Sequence, residues 1–167
     1  AGEKLVRYAC VINDLRHAAG RTGTGAVMGS KNLKAVAARG KGRIPVANQE
    51  KFRELARFMV DNWKELSWGD HDVGTPGGLI HLSEVGALPT RNFQDGQFED
   101  AEMITGTTLR DTIMIGREGC YACPIRCKRV VEVHEPGMDI NPIYGGPEYE
   151  TIGAFGSNCG INDLKAI

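Results

Sequence analysis

Apolar residues along this chain change their spacing several times, and each change predicts a different element. Residues 5–12 are rich in Val, Ile and Tyr and read as a strand, although a helical period also fits them. After a glycine-rich stretch, LKAVAARG reads as a short strand ending at Gly40. Residues 41–47, KGRIPVA, read as a linker, because Gly42 and Pro45 interrupt any regular element. From Asn48 the period becomes helical: Phe52, Leu55, Ala56, Met59, Trp63 and Leu66 recur at steps of three and four, the spacing of one helix face. Asn48 suits the N-cap, and Glu50 in the first turn complements the helix dipole.

Residues 69–107 are loop-rich, with a short helix predicted over 77–85 and an irregular stretch, ALPTRNFQDGQFEDA. A second helix is predicted over 109–115, after which Gly116 and Gly119 release the chain into a cysteine-rich turn. RVVEV then reads as a strand and EPGMDINPIYGGP as a turn-rich loop. Pro147 is placed to open another helix, with Glu148 and Glu150 in its first turns. The expected class is α+β: a short β-rich N-terminal part, 1–40, followed by a mainly α-helical part, 41–167, that carries the cysteine loop.

Composition narrows the function without naming it. With 167 residues and 41% apolar content the chain can bury a core. Twenty basic against 21 acidic side chains give a net charge of −1, so no overall pull toward nucleic acid or an anionic membrane is expected. No apolar run approaches a membrane span, and AGEKLVRYAC lacks the basic start and apolar stretch of a signal peptide. Five cysteines, three of them crowded together, argue against a disulfide framework and for reduced thiols in the cytoplasm. The start at Ala1 and the ending NDLKAI, which has no helix-stop signal, lead us to expect a longer parent polypeptide.

The chemistry centres on GCYACPIRCKR, which sets Cys120, Cys123 and Cys127 at C-x2-C-x3-C spacing. Such spacing gathers several thiolates around one inorganic centre. A [4Fe-4S] cluster wants a fourth thiolate from elsewhere, whereas a Cys3His zinc site could take His134. Arg117, Arg126, Lys128 and Arg129 bracket the motif and favour the cluster, whose four thiolates bring net negative charge. Cys159, in FGSNCGI, reads first as a buried, inert thiol and only second as the fourth ligand, and Cys10, in an apolar run, is a weaker candidate for that ligand.

AGRTGTGAVMGSKNLKAVAARG, LPTRNFQDGQFEDAEMITG, GCYACPIRCKRV and GGPEYETIGAFGSNCGINDL, in this order, resemble the tungsten-containing aldehyde ferredoxin oxidoreductase family over essentially the whole chain. The resemblance implies that residues 1–40 end an N-terminal β domain on which a metal-pterin lies, and that 41–167 begin the helical second domain. Cys120, Cys123 and Cys127 would then hold a [4Fe-4S] cluster, with the fourth cysteine beyond Ile167. It further implies that the segment from Gly23 through Gly25 to Gly29 cradles a tungsten or molybdenum bis-pterin, with a backbone carbonyl near Ala26 as a ligand to Mg2+ that bridges the pterin phosphates. Lys31 and Asn32 would help to neutralise those phosphates. The glycine spacing departs from both the dinucleotide fingerprint and the P-loop, which argues against nucleotide binding.

GPEYE has two readings. Acidic residues at the start of a helix stabilise it by about 0.3–1 kcal/mol each. The resemblance suggests instead that the segment approaches the metal, with Glu148 as proton acceptor and Glu150 in reserve. The implied reaction oxidises a small aldehyde to a carboxylic acid and passes electrons through the cluster to ferredoxin, with a homo-oligomer of the whole protein a further expectation. Two alternatives stay open: a relative that uses the same cofactor to reduce carboxylates or aromatic rings, and a non-catalytic Cys3His zinc module.

Overall fold

The computed structural model describes the backbone of residues 1–167 and every side chain except that of Trp68. The chain divides into two units, residues 1–49 and 50–167. In the first, residues 5–10 are turn and irregular chain rather than strand. Leu5, with φ 56°, closes a 3-10 turn over Gly2–Lys4. Only β1, Val11–Asn13, is extended, and it pairs antiparallel with β2, His17–Ala19.

The glycine-rich stretch is not an open loop. A 3-10 turn, Arg21–Gly23, leads into helix α1, Thr24–Ser30. Its glycines answer to close packing against protein backbone. A Cβ on Gly25 would lie 2.5 Å from the carbonyl oxygen of Cys10, and one on Gly29 would lie 2.0 Å from that of Gly2. Residues 33–40, read as a strand, are irregular and exposed. A strand needs a neighbour to take up its backbone hydrogen bonds, and among the described residues none pairs with them.

In the second unit α2, Gln49–Val73, starts directly after Asn48 and runs seven residues beyond Leu66, the last position of the predicted stripe. Ser67, at φ −156° and ψ 35°, breaks its helical geometry. Phe52, Leu55, Met59 and Leu66 on the predicted stripe are exposed, whereas Trp63 packs its ring against His71 with centroids 4.5 Å apart. A 3-10 turn, Thr75–Gly78, then leads into α3, Leu79–Glu84, where the sequence places a short helix.

Helix α4, Gly106–Thr112, is capped by the Thr105 hydroxyl, which accepts the Thr108 N–H at 3.0 Å. Met114 and Ile115, read as the end of this helix, belong instead to β3, Met114–Glu118. Pairing with β4, Lys128–Val131, overrides their local preference, with Arg117 opposite Arg129 and Glu118 opposite Lys128. The supposed loop after β4 holds a second hairpin: β5, Val133–Glu135, pairs with β6, Met138–Ile140. Glu148 is the N-cap of α5, Tyr149–Thr151, so Pro147 precedes the helix rather than opening it. A π turn, Ile152–Gly156, and a 3-10 turn, Ser157–Cys159, continue the path.

Leu79, Leu88, Ile104, Leu109 and Ile152 are fully buried and form the centre of one core, with Val131 and Val133 of the hairpins packed in. The class is α+β, as expected. The end of α2 is the hub of this unit. A Cβ on Gly106 would sit 2.2 Å from the Val73 carbonyl oxygen. The Thr75 hydroxyl accepts the N–H of Tyr149 at 2.9 Å, which ties α5 to the same place.

Candidate metal centre: the cysteine hairpin

Residues 119–127 connect β3 to β4 and hold Cys120, Cys123 and Cys127. The Cys123 N–H donates to the Cys120 carbonyl at 3.0 Å, closing a tight turn, and Ala122 and Arg126 take left-handed φ values of 57° and 51°. Gly119 is needed where the two sides of the loop cross, since a Cβ there would lie 3.0 Å from the Cα of Arg126. Cys120 is exposed, and Cys123 and Cys127 are half-buried. Among the described residues no three His, Cys, Asp or Glu side chains are gathered closely enough to hold a metal ion as they stand.

The loop is fastened to the end of α2 by three side chains. His71 donates its Nδ1–H to the Ile125 carbonyl at 2.6 Å, a bond into the loop itself. The Nε of Arg117 donates to the His71 carbonyl at 3.0 Å, and its Nη2 lies 3.2 Å from Asp72 Oδ1. Arg129, 1% exposed, reaches the same carbonyls from β4. The Asp72 carboxylate also takes Arg110 at 2.6 Å.

Glu148 is brought to this site. Its Oε1 lies 3.3 Å from Lys128 Nζ, and both side chains are partly buried. Burial raises the Cys127 thiol above its ordinary value, and the Glu148 carboxylate adds to that rise. Burial and the neighbouring Arg117 charge pull Arg129 below its own. Glu150 is exposed.

His134 is committed elsewhere. Its Nδ1 lies 2.6 Å from Asp139 Oδ1 and its Nε2 lies 3.3 Å from Glu132 Oε1, so both ring nitrogens face carboxylates. Cys10 and Cys159 are exposed, and for Cys159 this overturns the reading that buries it. Cys159 ends a 3-10 turn just before the left-handed Gly160, and its Sγ lies 3.3 Å from the Ala154 carbonyl. In the first unit Gly23, Gly25 and Gly29 turn toward protein backbone, Ala26 is half-buried within α1, and Lys31 and Asn32 are exposed after it. No helix among the described residues is long and apolar enough to cross a membrane.

The site is thus a hairpin that presents three thiols on an α+β scaffold. Comparison with known proteins narrows it. Residues 1–40 match the model of the aldehyde ferredoxin oxidoreductase N-terminal domain, and residues 54–167 match that of domains 2 and 3. The chain belongs to the aldehyde ferredoxin oxidoreductase family. It is 43% identical over 170 residues to a tungsten-containing aldehyde ferredoxin oxidoreductase of Thermococcus kodakarensis, and 44% identical over 170 residues to one of Pyrococcus abyssi. Each match takes in 100% of this chain and 27% of the relative. The WOR-like subunit of an aliphatic sulfonate oxidoreductase from Pyrococcus furiosus is 37% identical over 175 residues, covering 99% of this chain and 27% of that protein. The chain thus spans about a quarter of the length of these curated relatives.

Proposed function

We propose that the protein to which this chain belongs oxidises small aldehydes to carboxylic acids and delivers the electrons to ferredoxin, by analogy with the relatives named above. The observation that carries the reading is the β3–β4 loop: three thiols on one short connection, backed by a buried guanidinium. Its donor set suits a [4Fe-4S] group held by Cys120, Cys123 and Cys127, with a fourth cysteine supplied outside residues 1–167. When bound, the cluster supplies one-electron transfer, and a tungsten or molybdenum bis-pterin supplies the oxidation itself.

The chain's own part is to hold and orient. The loop's connection to α2 through His71, Arg117 and Arg129 sets where the thiols stand. Lys128 engages Oε1 of Glu148, which leaves Oε2 to accept the proton released as the aldehyde hydrate is oxidised. In the first unit, the exposed Lys31 and Asn32 after α1 would help to hold the phosphates of a pterin, with Mg2+ as a further ion there. A homo-oligomer and a cytoplasmic location are parts of the same proposal.

A second reading keeps the cofactors and changes the substrate. The sulfonate oxidoreductase relative favours it, since its name records a different substrate within 37% identity. The zinc module loses ground, because His134 is engaged by two carboxylates. Anaerobic metal analysis with EPR of the reduced whole protein tests the proposal. About four irons with one tungsten or molybdenum per chain is the expected result. One zinc and no iron would make the cysteine hairpin structural.

A further inference from the structure

Arg129 is the largest fully buried side chain among the described residues, although it stands two residues after Cys127, the half-buried end of a loop. Its Nη1 donates to the Asp72 carbonyl at 2.7 Å, and its Nη2 to those of His71 and Arg126, each at 3.0 Å. The Asp70 carbonyl lies 3.4 Å from Nη2. Those of residues 70–72 belong to the last turn of α2, the partially negative end of a helix, and the Asp70 carbonyl also accepts the Gly74 N–H at 3.1 Å. The Arg126 carbonyl belongs to the residue before Cys127. One guanidinium therefore joins the end of a helix to the base of the cysteine loop.

Stability alone does not explain a cation here. Burying a charge is costly even when it is hydrogen-bonded, and among the described residues no carboxylate is ion-paired with Arg129: the Asp72 carboxylate takes Arg110 and Arg117, and the Glu148 carboxylate takes Lys128. Its Nε–H is left over, buried and without an acceptor among the described residues. That nitrogen and the Cys127 carbonyl oxygen each lie 3.1 Å from the point where a Cβ on Gly74 would stand. Gly74, at φ 70°, thus has no side chain where the guanidinium meets the backbone of Cys127.

We propose that Arg129 is a positioning residue for the cysteine loop: it clamps the backbone at Cys127 to the end of α2 and holds a fixed positive charge behind the thiols, favouring the reduced state of the group they bind. The charge part rests on the iron–sulfur reading above; the clamp does not. Uptake of one electron adds one negative charge to that group, with no bond made or broken. A cation fixed in surroundings of low dielectric stabilises the added charge, so the midpoint potential rises.

The test compares Arg129→Lys and Arg129→Gln in the whole protein purified anaerobically, with iron content and an EPR-monitored redox titration as readouts. Arg129→Lys keeps the charge and should keep a potential near that of the wild type. Arg129→Gln should give about tenfold less reduced cluster at a given solution potential, a shift of about 59 mV downward for one electron. Full iron with an unchanged midpoint in Arg129→Gln overturns the charge role, as does an equal shift in both variants.

If either variant loses its iron, the clamp is read in the iron-free proteins from alkylation of Cys127, followed by peptide mass spectrometry. Reaction more than tenfold faster than in iron-free wild type supports the clamp, and a wild-type rate overturns it. A wild-type protein that carries no iron would instead sink the cluster reading and the charge role together, and the alkylation rates would judge the clamp alone.

Discussion

The β3–β4 and β5–β6 hairpins follow one another along the chain, yet the first is joined by residues 119–127 and the second by Pro136 and Gly137 alone. Both send a valine into the common core, Val131 from one and Val133 from the other. They differ in what surrounds the charges they carry. At β5–β6 the charged groups stand in solvent: His134 faces Asp139 and Glu132, and Lys165 pairs with Glu135. Such pairs are screened and contribute little. At β3–β4 the guanidinium of Arg129 is buried against carbonyl oxygens, and its loop carries the three thiols. A two-residue turn is enough to make a hairpin. The extra length, the left-handed residues and the buried cation of the first are therefore explained by what the loop holds.

The largest difference between the hairpins should appear with Cys123→Ala, which should take the whole protein from about four irons per chain to none. An intact cluster spectrum in that variant would refute the ligand assignment. Next comes Gly119→Ala, whose Cβ would press on the Arg126 backbone at 3.0 Å. Overpacking of this kind costs about 1–3 kcal/mol, and urea denaturation should show it together with a lower iron content. Gly137→Ala in the other hairpin meets nothing within 4 Å, and only its φ of 84° opposes a side chain. A left-handed residue with a side chain costs about 1–2 kcal/mol, so stability should fall while iron content holds. Equal iron loss from both glycine variants would erase the distinction drawn here.

The smallest effect is one of pH. Asp139 first, and Glu132 second, raise the His134 pKa above its ordinary value of 6.5. A raised folded value means that the charged imidazole adds stability below pH 6.5, and that this is lost as pH rises through the folded value. An NMR titration of His134 should give a midpoint above 6.5 that returns toward it in Asp139→Asn. Because the ring is exposed, iron content and midpoint potential should not move.

The sequence made the three cysteines and the α2 stripe legible, because each is a local spacing that needs no partner to be recognised. It also contained the β5–β6 hairpin, as Pro136 and Gly137 between VHE and MDI, but the surrounding turn residues hid it. Met114 and Ile115 read as helix because their pairing with β4 is not local. Arg129 read as one of four cations around a motif. Its burial depends on carbonyls at residues 70–72, more than fifty positions earlier, which no spacing reveals. The inward glycines of α1 were hidden in the same way, since the carbonyls they meet belong to Gly2 and Cys10.

The break at Ser67 divides α2 into parts with different allegiances. Residues 49–66 form one arm, while the carbonyls of residues 70–72 and the His71 ring are bound to the cysteine hairpin. Backbone amides exchange with solvent in cooperative groups that follow such ties rather than element names. Amides of residues 70–73 should therefore exchange together with those of β3 and β4, and more slowly than the arm that precedes them. In that sense the last turn of the helix is a third wall of the hairpin, and motion of the arm can stop at Ser67 before it reaches the thiols.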